Sequence, residues 1–203
     1  SMATRNVCGH VRGIFFTAHE KAPVRVQRRN TMEYRQLIRE RYSVRKFSDQ
    51  PVEDSQVAAI LHAARTAPTA VNKQPQRILV LRNAESMAKL KDCTLYTFNA
   101  PVALIVCCRK DEAWVRPYDG DNSGVIDAAI VGTHIMLAAH DLGLGSTWVG
   151  HLDPTALRRS FNFPDNIEPV AIFPIGRPAP DAKPSPRHHS RRPLEETVVY
   201  DSF

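Results

Sequence analysis

The sequence predicts one domain of mixed helices and strands, an α/β or α+β sheet with helices on its faces. With 203 residues and 43% apolar content, the chain is long enough to bury one sizeable core. Helical and strand patterns alternate from Met32 onward, which is typical of a sheet layered with helices. The run PVALIVCC, residues 101–108, is continuously apolar, as expected for a strand that is covered on both faces.

Capping and helix-breaking residues indicate where the predicted helices begin and end. Pro51 precedes and Pro68 closes the second helix, Gly143 ends the long helix, and Asp153 with Pro154 opens the last one. We expect helices at 33–41, within 51–68, at 84–90, 125–142 and 153–161, and strands at 77–81, 101–108, 146–150 and 168–176. The tail after residue 176 is rich in Pro, Arg and His, and an ordered pattern resumes only at PLEETVVY. This late return predicts an extended C-terminal arm that wraps its own domain or a partner subunit.

The positive charge is concentrated at the N-terminus. Residues 1–31 hold six Lys and Arg against one Glu, so they account for +5 of the net charge of +6. They have no helical period, and Ser1 is typical of a cloning scar. We interpret residues 1–31 as a flexible basic extension, which a tag scar or an over-long start-site assignment would explain, with a transit peptide as the alternative. Residues 32–203, the single predicted domain, are nearly neutral, which counts against a nucleic-acid-binding module.

The cysteine pattern and the hydropathy of the chain predict in which cellular compartment the protein is found. The four cysteines form no CxxC pair, and no His or Cys spacing is typical of a metal site. Reduced thiols without a secretory context indicate a cytoplasmic protein. No apolar run approaches the ~20 residues that a membrane helix needs, so we expect no membrane contact.

The stretch RYSVRKF, residues 41–47, brings two guanidinium groups and a hydroxyl to one side. If the stretch is extended, Arg41, Ser43 and Arg45 share a side at period 2, and if it is helical, the two arginines still share a face. A guanidinium fork matches a phosphate group, so the pattern indicates a small phosphorylated ligand. The alternative is a solvated basic helix end.

Three further stretches carry polar or cationic groups at fixed places. APTAVNKQPQ, residues 67–76, offers amides that suit a ring edge of alternating donors and acceptors. GLGSTWVG, residues 143–150, runs from helix to strand and is therefore not a dinucleotide motif, which runs from strand to helix. HHSRRP, residues 188–193, is a second cationic cluster that a folded-back tail would bring to the same phosphate as Arg41.

These four stretches, in this order, resemble the nitroreductase family of flavin-dependent oxidoreductases. The resemblance covers RxSxR at 41–45, AP(S/T)AxNxQP at 67–75, GLGSxWxG at 143–150 and SRxPLEE at 190–196. It implies an α+β fold, a three-layer α/β/α sandwich with a central, mostly antiparallel sheet. It also implies a homodimer that binds FMN at the subunit interface and takes electrons from NADH or NADPH.

The resemblance also implies roles for individual residues. The FMN phosphate and ribityl chain would be bound by Arg41, Ser43 and Arg191, with backbone contacts from Tyr42, and Arg45 would reach the polar edge of the ring. The partner subunit would supply Pro68, Thr69, Ala70 and Asn72. Val149 and Gly150 would lie beside the reactive N5 edge. No side chain is assigned as a catalytic acid, base or nucleophile, because the cofactor carries the chemistry.

The sequence departs from the family pattern at several points. Gln76 stands where many family members carry a tryptophan. His189 stands where many carry a lysine, and Val149 stands where many carry a glutamate. The chain is also short, and we expect the missing length in the segment that covers the flavin, between Leu90 and Pro101 or between Arg109 and Ser123. The sequence therefore does not decide whether the electron acceptor is a nitroaromatic, a quinone or a similar small molecule. Alternatives are a flavin sensor or storage protein without turnover, and a reductive dehalogenase or flavin-destroying relative.

Overall fold

The elements match the predicted order closely. The computed structural model describes residues 32–203, and the basic extension predicted for residues 1–31 lies outside the described residues. The helices are α1 (Tyr34–Glu40), α2 (Asp54–Arg65), α3 (Ala84–Lys91), α4 (Gly124–Asp141) and α5 (Pro154–Phe161). The strands are β1 (Gln76–Leu81), β2 (Val102–Arg109), β3 (Gly145–Ser146) and β4 (Ile167–Gly176). Short 3₁₀ helices lie at Ala70–Asn72, Pro186–His188 and Leu194–Glu196.

The sheet decides between the two fold classes that the pattern left open. Its strands lie in the order β1-β2-β4-β3, and every neighbouring pair is antiparallel. An antiparallel sheet with helices on its faces is an α+β fold, so the α+β expectation is confirmed. A bulge at Val106/Cys107 in the β2–β4 pairing sets Cys107 opposite Pro169, which lacks the N–H that a regular ladder requires.

Two apolar clusters sandwich the sheet. On one face α2 and α4 pack against β2 and β4 through side chains that include Ile60, Ile135 and Phe173. On the other face α3 and α5 pack through Leu90 and Leu157. The central strand β2 is therefore buried on both sides, as its apolar run predicts. This is the three-layer α/β/α sandwich expected from the sequence.

The predicted caps are also present. The carboxylate of Asp153 accepts hydrogen bonds from the N–H groups of Thr155 and Ala156, at 2.8 and 3.0 Å, at the start of α5. Gly143 has φ +72° and ends α4, and its N–H donates to the carbonyl of His140 at 2.9 Å. The predicted capping residues therefore determine where these two helices begin or end.

The strand predicted for residues 146–150 is largely wrong. Only Gly145–Ser146 pairs as β3, and Val149 makes an isolated bridge to Ile172. Between them the ring of Trp148 packs edge-on against Phe173, with 5.1 Å between ring centroids. The Trp148 ring also lies close to Gly132 on α4.

Among the described residues, 32–203, no helix combines the length and the hydropathy needed to span a bilayer.

Candidate functional site

The stretch RYSVRKF is extended rather than helical. Ser43 forms a parallel bridge with Ser146, and the N–H of Val44 donates to the Ser146 carbonyl at 3.0 Å. Val44 is buried against Gly145, where an added Cβ would lie 2.5 Å from a Val44 methyl. Since side chains alternate along an extended chain, Arg41, Ser43 and Arg45 lie on the opposite side. The extended alternative is therefore the one that the structure contains.

The C-terminal arm folds back along this stretch. The N–H of Ala179 donates to the Lys46 carbonyl at 3.0 Å, and that of Ser48 to the Arg177 carbonyl at 2.9 Å. Lys46 and Asp181 form an ion pair. The arm and the stretch enclose a cavity of about 590 Å³, here named the basic cavity. It is lined by Arg41, Ser43, Arg45, Ser185, Arg187, His188 and Arg191.

The basic cavity holds uncompensated positive charge. Within residues 32–203, none of its four arginines forms an ion pair with a carboxylate, whereas Arg77 and Arg116 elsewhere each do. Arg191 Nη1 donates to the carbonyls of His188 and Ser190 at 2.6 and 2.7 Å. These bonds use one nitrogen and leave the rest of the guanidinium fork available to a ligand.

Arg41 and Arg191 are close enough to repel each other. Arg41 is half-buried, and burial followed by the charge of Arg191 lowers the pKa of Arg41. Two cations that face each other in a partly desolvated cavity are stabilised by an anion bound between them. The tail therefore brings the second cationic cluster to the first, as the sequence predicts, although 150 positions separate them.

A second cavity adjoins the first. It measures about 280 Å³, is named here the aromatic cavity, and is lined by Arg45, Tyr96, Phe98, Thr147, Trp148, Val149, Gly150 and His151. Arg45 lines both cavities, so they meet at its side chain. Thr94 Oγ1 donates to the His151 carbonyl at 2.6 Å, which fastens the loop that carries the two aromatic rings. Together the cavities can hold an anion at one end and a flat apolar group at the other.

Packing under α4 holds the floor of the aromatic cavity. An added Cβ at Gly132 would lie 2.5 Å from Phe173 and 2.7 Å from Trp148, so only glycine lets these rings approach the helix. At Gly150 the same test finds only Trp148, at 3.6 Å. Within residues 32–203 no protein group makes the close approach predicted at Gly150, so it stays a prediction about a ligand.

The block from Pro68 to Asn72 lies elsewhere. It follows α2 and contributes no lining residue to either of the two cavities described above. The N–H of Ala70 donates to Asp127 Oδ1 at 2.9 Å, and the hydroxyl of Ser123 donates to Asp127 Oδ2 at 2.9 Å. The buried Asp127 thus ties this turn to the start of α4. The structure does not bring the block to the cavities of its own chain.

The turn itself has an unusual backbone. Val71, Asn72 and Gln74 have φ values of +43°, +56° and +51°. A positive φ is rare for a β-branched residue, and it costs of order 1–3 kcal/mol. The side chain of Val71 is 70% exposed, so burial within the chain does not offset this cost.

Several residues in the cavities were not predicted as site residues. His188 belongs to the cationic cluster predicted at residues 188–193, but Ser185 and Arg187 lie in a tail without periodicity, and Tyr96 and Phe98 lie in a loop. Their only signal in the sequence is the presence of cations and aromatic residues in otherwise patternless segments. The segments 92–101 and 110–123, to which the sequence analysis assigns the missing length of a covering insert, contain no helix. The imidazole of His189 contacts that of His188, with ring centroids 4.8 Å apart.

Comparisons with known proteins agree with this geometry. The model of the nitroreductase family matches residues 38–100 and 95–177. A protein of Methanothermobacter thermautotrophicus, described as an NADH dehydrogenase/NAD(P)H nitroreductase, is 32% identical over 174 residues, which are 82% of this chain and 88% of that protein.

Two crystal structures are also similar. A nitroreductase family protein from Clostridium difficile 630 has a TM-score of 0.80 and 39% identity, over 85% of this chain and 100% of that one. A Desulfovibrio desulfuricans nitroreductase in complex with FMN has a TM-score of 0.69 and 30% identity, over 83% of this chain and 96% of that one. On the match of the family model and these relatives, the chain belongs to the nitroreductase family.

Proposed function

We propose that this protein is an FMN-dependent oxidoreductase that takes electrons from NADH or NADPH and reduces a small acceptor. The observation that carries the proposal is the junction of the basic cavity with the aromatic cavity at Arg45. The Desulfovibrio relative was crystallised with FMN, and the Methanothermobacter relative is named for NAD(P)H. These names support the same cofactor and the same donor for this chain.

The described residues fit FMN. Its phosphate is a dianion near neutral pH, and the basic cavity offers guanidinium groups without carboxylate partners among residues 32–203. Arg41, Ser43 and Arg191 would hold that phosphate, and the backbone of Tyr42 would add contacts. The aromatic cavity next to it would take one end of the flat ring, with Arg45 at the polar edge of that ring.

The bound cofactor would accept a hydride from the nicotinamide and pass reducing equivalents to the acceptor. The chain's own contribution is to bind and to orient. Val149 and Gly150 would line the reactive edge, and the neighbouring Trp148 packs edge-on against Phe173. No side chain in the aromatic cavity is required to act as an acid or a base. A nitroaromatic or a quinone is the acceptor class that suits these flat apolar walls.

We also propose a homodimer. Val125 and Ile126 on α4 are exposed, and so are Val199, Tyr200 and Phe203 at the end of the arm. Exposed apolar side chains that form a contiguous patch are typical of a protein interface. In such a dimer the partner would supply the turn of Pro68, Thr69, Ala70 and Asn72, which reaches neither cavity of its own chain.

Two measurements on the purified protein test the proposal. Its visible absorption spectrum should show a flavin, and the cofactor released by heat should run as FMN on chromatography. Anaerobic addition of NADH or NADPH should then bleach the flavin, and an acceptor should restore the colour. A protein that binds FMN but is not bleached would be a sensor or storage protein, and a protein that binds no flavin after reconstitution would contradict the proposal.

Sedimentation tests the oligomeric state separately. We expect a dimer at micromolar concentration, because an interface of the size typical for obligate dimers leaves no stable monomer. A folded, flavin-loaded monomer would contradict the shared site but not the chemistry.

A further inference from the structure

The basic cavity carries more charge than one phosphate needs. Among residues 32–203, four guanidinium groups and no acidic side chain line it. A phosphate monoester carries about two negative charges at neutral pH. With the phosphate of FMN bound, the cavity would keep roughly two positive charges in a partly enclosed space. Such a surplus favours a second anionic group.

The arginines divide into two sets by position. Arg41 and Arg191 lie close enough for the charge of Arg191 to affect Arg41, so these two suit a single anion. Arg45 lies at the junction with the aromatic cavity. Arg187 remains, and it lines the basic cavity from the 3₁₀ helix Pro186–His188.

Arg187 is also held ready for a ligand. Its backbone N–H donates to Ser185 Oγ at 3.4 Å, which places the Ser185 hydroxyl beside it. That bond does not use the hydroxyl hydrogen, so Ser185 can still donate. Within residues 32–203 the guanidinium of Arg187 has no carboxylate partner, whereas Arg192 on the same arm pairs with Glu196.

We propose that Arg187 and Ser185 bind the 2′-phosphate of NADPH and make this enzyme select NADPH over NADH. The inference rests on the proposed function. In that reaction the electron donor is the reactant that exists with and without an additional phosphate monoester. The donor must reach the ring edge in the aromatic cavity, and Arg45 makes that cavity continuous with the one that holds Arg187.

Steady-state kinetics with both donors test the selection. We expect kcat/KM for NADPH to exceed that for NADH by about 10-fold or more, the effect of one charge-assisted hydrogen bond. Arg187→Gln should remove most of this preference by weakening NADPH alone. Arg116→Gln is the control, because Arg116 lies outside both cavities and should leave the preference unchanged.

A binding measurement tests the same inference without requiring the enzyme to turn over. Calorimetry with the flavin-loaded protein should show 2′-AMP binding at least about 10-fold more tightly than 5′-AMP or inorganic phosphate, and Arg187→Gln should erase the difference. Equal use of NADH and NADPH by a flavin-loaded wild type would overturn the inference and leave the proposed function intact. A loss of FMN affinity in Arg187→Gln would also overturn it, because Arg187 would then belong to the phosphate of the cofactor.

Discussion

Around β2 the protein satisfies its own requirements, whereas the basic cavity holds four arginines that have no carboxylate partner within residues 32–203. The core is built from apolar side chains, and burial raises the pKa of the Cys107 thiol to about 12, so that group stays neutral. In the basic cavity, burial and a like charge lower the pKa of Arg41, and within residues 32–203 no carboxylate pairs with it. The core thus explains the fold, and the unbalanced cavity indicates the ligand.

The largest expected effect is a loss of FMN affinity when an arginine of the basic cavity is removed. Arg41→Ala or Arg191→Ala should weaken FMN binding roughly 10- to 150-fold, because a charge-assisted hydrogen bond contributes about 1.5–3 kcal/mol. Titration of apo-protein with FMN measures it. Arg116→Ala, which removes an arginine outside both cavities, should leave the affinity unchanged.

The double variant Arg41→Ala/Arg191→Ala sharpens the result. Residues that meet at one phosphate should show non-additive losses, whereas independent sites sum within about 0.5 kcal/mol. Additive losses would mean that the two arginines serve different anions.

The next effect concerns the buried side chain of Asp127, whose hydrogen-bond partners lie within the chain itself. Asp127→Ala leaves the Ala70 N–H without its acceptor and frees the Ser123 hydroxyl, and should lower the free energy of unfolding by about 2 kcal/mol. Urea denaturation measures this loss. Asp119→Ala removes an exposed carboxylate that pairs with Arg116, and should cost less than about 1 kcal/mol. Equal losses in both variants would contradict the structural role of Asp127.

A smaller effect tests the packing between the core and the aromatic cavity. Gly132→Ala places a Cβ within 2.5 Å of Phe173 and 2.7 Å of Trp148. Overpacking costs about 1–3 kcal/mol, and the better helix propensity of alanine returns up to about 1 kcal/mol. We expect a net loss of about 1–2 kcal/mol by thermal or urea unfolding. Thr133→Ala, at the neighbouring exposed position, should change stability by less than about 0.5 kcal/mol, and a stabilising Gly132→Ala would show that the rings move aside.

The smallest effect is a pH dependence at His140. Burial and then the charge of Arg41 lower the pKa of His140, and its buried Nε2 has no hydrogen-bond partner among the described residues. Below the unfolded pKa of about 6.5, the unfolded state therefore binds a proton that the folded state does not. Stability should fall as the pH drops through this window, by less than about 1 kcal/mol per pH unit because the ring is half-exposed.

His140→Gln removes this titration. Its urea denaturation curves, measured on apo-protein between pH 7 and pH 5, should show a shallower pH dependence than those of the wild type. Identical slopes would mean that titration of His140 does not contribute to stability between pH 7 and pH 5.

The sequence predicts the regular part of this protein well because local signals determine it. Apolar periodicity, Asp153 and Gly143 place the helices and the central strand within one or two residues. The extended form of residues 41–47 could not be chosen from sequence, since it depends on pairing with Ser146, a contact across more than 100 positions. Likewise, Tyr96 and Arg187 reach the cavities through irregular segments, where no periodicity indicates which way a side chain points.

The turn at Val71, Asn72 and Gln74 has a consequence for the kinetics of local opening. Its three positive-φ residues store conformational energy that the Asp127 anchor on α4 helps to offset. A strained segment held by one buried carboxylate should open before the sandwich does, so its amides should exchange with deuterium faster than those of β2. In the proposed dimer the same amides would become protected when a second subunit docks, which would make this turn a built-in reporter of assembly.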